Sequence, residues 1–270
     1  MNHSFKIMGI LNITPDSFSD GGDFYNLNDA LSQVEKLVKD GADIIDVGGE
    51  STRPNSEQIS ANEEIRRVIP VISEIHKNFP EIVISIDTTK YVVALAALDE
   101  GATMINDISG LGDDARLAEL ASRFNAGLII MHIQGTPQTM QVNPHYQDVV
   151  GEVFVHLNSR IELAQHIGVQ QIWADVGIGF GKTLQHNLEL LRNLEYFQKL
   201  NVPLVLGISR KGFIGKILGI DDPKERDVAT ALFHSLLIHN KIDIVRVHNA
   251  KYLNQLRILN EVLNQISLLD

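Results

Sequence analysis

Residues 82–107 read IVISIDTTKYVVALAALDEGATMIND, and this stretch decides the fold. Its first apolar run ends on Asp87. A helix-length segment follows at 90–100, Gly101 closes it, and a second apolar run ends on Asn106 and Asp107. Parallel strands buried on both faces read as unbroken Val/Ile/Leu runs, and each consecutive pair needs a helix to carry the chain back. The unit recurs in both directions from here. KIMGILN ends on Asn12, ADIIDVGGESTR reaches Asp46 and Arg53, GLIIMH ends on His132 and QIWAD on Asp175. PLVLGISRK runs into Ser209, Arg210 and Lys211, and DIVRVH carries Arg246 and His248. Eight such units predict an α/β fold, a (β/α)8 TIM barrel whose active site lies at the C-terminal strand ends.

Helices are expected near 28–40, 61–78, 90–100, 115–124, 147–167, 185–199, 224–240 and 250–266. Gly41, Gly101, Gly127 and Gly168 each stand just before a strand and suit a left-handed helix C-cap. Three connections, 13–26, 51–60 and 133–146, are long and rich in Gly, Pro, Ser, Thr and Asn. Loops of that length in a compact domain usually serve function, and all three overhang the expected mouth. With 270 residues and no linker or repeat beyond the β/α rhythm, residues 1–270 read as a single domain.

Composition excludes several classes. A formal charge of −11 argues against a nucleic-acid binder, which needs a basic face. The absence of cysteine removes disulfides and thiol catalysis, and agrees with a cytoplasmic enzyme. No run approaches the ~20 apolar residues of a membrane span, and the start MNHSFKIMG has no signal-peptide core.

The strand ends carry the chemistry. Asp87, Asn106 and Asp175 are polar where a barrel interior is ordinarily apolar. They form either an internal salt-bridge network or, as the number of costly polar groups favours, a pocket for a flat heterocycle with paired N–H donors. Arg53, Arg210, Lys211, Arg246 and His248 gather at the same end and suit an anion; an Arg can also cover an aromatic plane. Asn12 fits a sparse Mg²⁺ site, completed by phosphate oxygens and water, or else steadies a turn. GIGFGK at 177–182 has neither phosphate-loop nor dinucleotide spacing and reads as a close backbone approach after the sixth strand. His234 and His239 are five apart and do not share a helix face, and ATALFHSLLI reads as packing or a subunit interface.

MGILNITPDSFSDGG, DVGGESTRP, SIDTTK, INDISG, MHIQGTPQTMQ, DVGIGFGKT, GISRKGFIG and RVHN, in this order, resemble the dihydropteroate synthase family over nearly the whole chain. That family, the target of sulfonamides, joins 6-hydroxymethyl-7,8-dihydropterin diphosphate to p-aminobenzoate in folate biosynthesis. It yields 7,8-dihydropteroate and releases pyrophosphate. The resemblance implies that Asp87, Asn106, Asp175 and Lys211 hold the pterin, with Arg246 stacked over it. Thr52, Val247 and His248 complete the pterin diphosphate site, and Arg53, Arg246 and His248 face the diphosphate. Thr52, Phe180 and Ser209 frame the aminobenzoate. Asn12 ligates Mg²⁺, with Arg53, Lys211, Arg246 and His248 acting in catalysis. A homodimer is implied too. The chain departs from the family at Val176 and Ile178, where Pro and Phe are usual, and at Asn249, where Asp is usual. A catalytically silent pterin-binding relative is the alternative. A pterin-dependent methyltransferase fits less well, because methyl transfer leaves SFSDGG, GESTRP and SRKGF with no pyrophosphate to hold.

Overall fold

The structure, a computed structural model, describes residues 4–14, 27–52, 56–112 and 115–266. Eight parallel strands close into a barrel in sequence order. They are β1 (Lys6–Asn12), β2 (Ile44–Gly48), β3 (Val83–Asp87), β4 (Met104–Asp107), β5 (Gly127–Met131), β6 (Ile172–Asp175), β7 (Leu204–Leu206) and β8 (Ile242–Val247), with β8 pairing back to β1. Outside run α1 (Leu27–Lys39), α2 (Ala61–Asn78), α3 (Tyr91–Asp99), α4 (Arg116–Phe124), α5 (Val149–Ile167), α6 (Leu184–Arg192), α7 (Gly212–Leu218), α8 (Asp227–Leu237) and α9 (Ala250–Ile266). The expected (β/α)8 architecture is the observed one.

Strand alternation divides the core in two. Met8, Ile44, Met104, Ile129, Trp173, Val205 and Ile244 pack inside the barrel, and the intervening residues pack against the helices. Trp173 keeps its indole satisfied, since Nε1 donates to Asp243 Oδ2 at 2.7 Å. The register then sets the mouth. Asn12, Gly48, Asp87 and Asn106 are successive neighbours across β1 to β4, so all face the same way. One inward step lower stand Asp46, Ser85 and Met104.

Several boundaries differ from the sequence reading. The helix expected over 185–199 stops at Arg192 and resumes as a 3-10 turn over Leu194–Leu200. Asn193 breaks it, because its side-chain amide donates to the Glu189 carbonyl at 2.8 Å and competes with the helical ladder. The segment expected at 224–240 is helical only over Asp227–Leu237, between 3-10 turns, and α7 precedes it as a further short helix. Gly41, Gly101 and Gly168 have the expected positive φ, but Gly127 does not. Gly127 is the first residue of β5, and the left-handed cap of α4 is Asn125, whose short polar side chain tolerates that conformation. The role of Gly127 is space: a Cβ there would lie 2.8 Å from the Trp173 ring.

Candidate active site

Three strand-end side chains and one guanidinium build the centre of the mouth. Asp46 Oδ2 accepts from Asn106 Nδ2 at 3.0 Å and from Arg246 Nε at 2.6 Å. Arg246 Nη2 donates to Asp87 Oδ2 at 2.6 Å. One cation thus bridges two buried carboxylates. Against burial, which works the other way, Asp46 and Asp87 push the Arg246 pKa further up and hold it charged. Burial raises the Asp87 carboxyl to about 7, with Arg246 opposing and Asp46 adding to the rise. Asp46 Oδ1 and Asp87 Oδ1 are buried with no hydrogen-bond partner among the described residues. Unsatisfied buried acceptors cost about 1–3 kcal/mol each. The mouth therefore holds acceptor capacity that an N–H-rich occupant would satisfy.

Asp175 faces this centre from β6. Its Oδ1 accepts from the Gly177 N–H at 2.8 Å, and burial raises its pKa. Lys211 begins α7 with its ammonium 4.0 Å from the centre of the Phe180 ring. Burial, and then Arg246, lowers it to about 8. Phe180 packs with Ile108, Met131 and Met140 in a small apolar cluster above the barrel. Gly207 points toward Asp175: a Cβ there would stand 3.6 Å from Asp175 Oδ2 and 4.0 Å from Arg246 Cβ. Glycine at this inward position leaves the space between the two open.

His248 and Ser209 form a pair beside β8. The Ser209 hydroxyl accepts from the His248 backbone N–H at 3.1 Å and meets its Nδ1 at 2.9 Å. Because that hydroxyl already accepts from the backbone N–H, it can donate to Nδ1, which would leave the ring proton on Nε2. Burial first, then Arg210 and Arg246, push the His248 pKa down to about 3, so the ring is neutral at physiological pH.

The predicted residues fall into four groups. Asp87, Asn106, Asp175, Lys211, Arg246, Ser209, His248 and Phe180 gather at the C-terminal strand ends. Thr52 lies to one side and, with Asp87, Ile108, Ser109 and Gln138, lines a cavity of about 200 Å³. Asn12 ends β1, and a Cβ on the facing Gly48 would sit 3.7 Å from both Asn12 Oδ1 and Asp87 Oδ2. Two residues do not point there. Val247 is buried among the helix-facing residues, because it follows inward-facing Arg246 by one position and strand side chains alternate. Arg210 is bound away from the mouth by Asp227, which takes its Nε at 2.6 Å and its Nη2 at 2.8 Å. Arg246 bridges Asp46 and Asp87, so the expected internal ion-pair network is present among the same strand-end residues. Arg53 and the connection after β1 from residue 15 to 26 lie outside the described residues.

Sequence reasoning passed over three supports. Asp46 was visible as a strand-end acid, and its two-residue spacing from Gly48 gives it the same inward face. Lys182 is buried, and its Nζ reaches His132 Nδ1 and the Phe180 carbonyl, each at 2.9 Å. It ties the end of β5 to the β6 loop, so His132 is scaffold here. Lys90 joins Glu50 at 2.7 Å and buried Glu64 at 2.6 Å, fastening the β3–α3 turn to the β2–α2 connection. GIGFGK makes the expected close approach: a Cβ on Gly177, at φ +68°, would fall 1.8 Å from the His132 carbonyl oxygen. Val176 and Ile178 are buried and apolar, and Asn249 Nδ2 donates to Asp227 Oδ2 at 3.1 Å, where a carboxylate would oppose it.

The comparisons with known proteins agree with this geometry. A family model described as pterin binding enzyme matches residues 8–248. A dihydropteroate synthase of Synechocystis sp. is 47% identical over 252 residues, covering 93% of this chain and 87% of the relative. The Haemophilus influenzae enzyme of that name is 44% identical, with 90% and 88% covered. Among solved structures, the Clostridium difficile dihydropteroate synthase with pteroic acid superposes at a TM-score of 0.89 and 42% identity, covering 97% of each chain. The Xanthomonas albilineans enzyme with 4-aminobenzoic acid gives 0.90 and 35%, covering 97% of this chain and 93% of that one. Fold, motif order and relatives converge, and the chain belongs to the dihydropteroate synthase family of pterin binding enzymes.

Proposed function

We propose that this mouth condenses 6-hydroxymethyl-7,8-dihydropterin diphosphate with p-aminobenzoate, forming 7,8-dihydropteroate and releasing pyrophosphate in folate biosynthesis. The observation that carries the reading is the layer of buried, partly unpartnered acceptors beside two cations. The carboxylates of Asp87, whose Oδ1 is free, and of Asp175 accept from the ring N–H and exocyclic amine of the pterin. Asn106 reads the ring edge, and Lys211 lies where the same ring would end.

The chemistry follows from charge. The bond from the pterin methylene to the diphosphate oxygen breaks, the electron pair leaves with pyrophosphate, and the methylene cation is delocalised into the ring. The arylamine nitrogen then attacks the methylene and loses a proton to the medium. No nucleophilic side chain is required. His248, neutral and protonated on Nε2, donates to the leaving group without carrying a charge; Arg246 and Arg53 supply the positive charge. Thr52, Phe180 and Ser209 frame the aminobenzoate, and the backbone of Val247 helps to hold the diphosphate.

Mg²⁺ fits the residues at the β1 end in one respect: the Asn12 amide oxygen is a hard donor beside the Gly48 notch. Among the described residues no group of three His, Asp or Glu could hold a metal. A sparse site completed by diphosphate oxygens and water is the form Mg²⁺ usually takes. When bound, Mg²⁺ neutralises the diphosphate.

The chain works as one domain in the cytoplasm, as a homodimer. In the described helices, none is long and apolar enough to cross a membrane. Val228, Leu232 and Leu236 form an exposed apolar row on α8, and Ile258, Leu259 and Val262 continue it on the adjoining α9. A second copy of the chain would cover that face, and sedimentation equilibrium reads the state directly. Incubation with the dihydropterin diphosphate, p-aminobenzoate and Mg²⁺, followed by mass detection of dihydropteroate, tests the activity. No product under several conditions favours the silent relative.

A further inference from the structure

Asp46 is fully buried, and nothing in the reaction above uses it. It stands one inward step below the row that holds Asp87 and Asn106. Its Oδ2 takes a donor from each side, Asn106 Nδ2 at 3.0 Å and Arg246 Nε at 2.6 Å. Its Oδ1 has no partner among the described residues. A buried carboxylate of this kind is costly unless it organises its neighbours. Both neighbours are residues to which the proposed function gives substrate contacts.

We propose that Asp46 is a positioning residue that lets Arg246 change partners without leaving the mouth. The inference rests on the reading of Asp87 and Asn106 as pterin-holding residues. Arg246 spans Asp46 through Nε and Asp87 through Nη2. A pterin whose paired N–H donors engage both oxygens of Asp87, the free Oδ1 and the paired Oδ2, displaces Nη2 from Oδ2. The guanidinium carries five donors in a rigid fork, so Asp46 keeps its grip on Nε while the Nη groups turn to the incoming ring and its anion. The same carboxylate draws Asn106 Nδ2 downward and leaves Oδ1 as the group offered to the pterin edge. Asp46 thereby sets the direction of one recognition group and the reach of another, and touches no substrate itself.

Asp46→Asn is the isosteric test, because one amide oxygen can still accept both donors while the charge is gone. Arg246 then pairs with Asp87 alone, and the pterin must displace a stronger pair. A hydrogen bond to a charged group is worth about 1.5–3 kcal/mol, so affinity for 6-hydroxymethyl-7,8-dihydropterin should fall roughly tenfold or more. KM for the pterin diphosphate should rise with it, while KM for p-aminobenzoate and the melting temperature hold. A purely structural role would lower stability and active fraction and leave both KM values alone, which would overturn the proposal. So would wild-type pterin affinity in the variant. Asp87→Asn is the control for the underlying reading. If it also binds pterin normally, the site assignment itself has failed; if it alone loses binding, only the role of Asp46 has.

Should Asp46→Asn not fold, the wild type carries the test. The Arg246 Nε–H resonance should stay protected from exchange when the dihydropterin is added, while its Nη resonances shift. Loss of Nε protection on binding overturns the proposal.

Discussion

At the scale of single residues, the site is a matter of which acceptors remain open. Asp175 uses one oxygen for the Gly177 N–H and keeps the other toward the open space beside Gly207. Asp175→Asn should abolish measurable pterin binding with the fold intact, because an amide sets a donor against a donor at a buried position, at a cost of about 1–3 kcal/mol or more. Calorimetry with the dihydropterin beside circular dichroism reads both halves of that outcome. His234 is the opposite case, a polar residue buried away from the mouth. It is buried on α8 near Phe5, Ile242 and Val245, and neither ring nitrogen has a partner among the described residues. Burial lowers its pKa from 6.5 to about 3. The unfolded chain therefore binds a proton that the folded one refuses, and stability falls as pH drops from 6.5 toward 3. His234→Leu should raise stability by about 1 kcal/mol at neutral pH and flatten that acid slope by one proton's worth. Urea unfolding at neutral and mildly acid pH measures both.

At the scale of elements, ion pairs fasten the connections that carry the mouth. Lys90, at the start of α3, holds Glu50 after β2 and Glu64 on α2. Glu64 is fully buried, so Lys90 is its counter-ion. Removing one partner of a buried pair leaves an uncompensated charge, and Lys90→Met should cost about 3 kcal/mol. It should also raise KM for substrate, because the freed connection carries Thr52. Glu64→Gln with Lys90→Met should recover much of the stability but not the lost anchoring, and a double-mutant cycle separates the two. The Arg210–Asp227–Asn249 group does similar work between β7, α8 and β8. It explains how a non-glycine residue is kept at φ +58° ahead of Lys211. Elements of this kind were partly legible beforehand. The runs ending on Asp87, Asn106 and Asp175 announced strands because the buried face of a parallel strand has to be continuous and apolar. Asn193 and Gly127 were misread because a helix break set by one side-chain amide, and a glycine kept for space under Trp173, leave no trace in hydrophobic period.

At the scale of the whole molecule, two substrates share one mouth on an acidic barrel. The connections at 13–26 and 51–60 are polar in sequence, and Arg53 carries a charge that an anion would pair. We expect p-aminobenzoate to bind weakly to the free protein and more tightly once Mg²⁺ and pyrophosphate are present, a coupling of about 1–3 kcal/mol. Titrating p-aminobenzoate with and without Mg²⁺-pyrophosphate measures it, and equal affinities would mean a preformed pocket. The barrel was readable from the chain alone, and so was the set of polar residues at its strand ends. A strand's buried run, its terminal polar residue and the following helix are all local in the chain, so their order can be read without coordinates. Partnership was settled by the closed fold. Asp46 and Arg246 are 200 positions apart, yet share a 2.6 Å hydrogen bond. Arg210 stands beside Lys211 in sequence and turns away from it to Asp227. Which cation meets which carboxylate depends on barrel closure and on the inward or outward face of each strand position, and those are properties of the closed sheet.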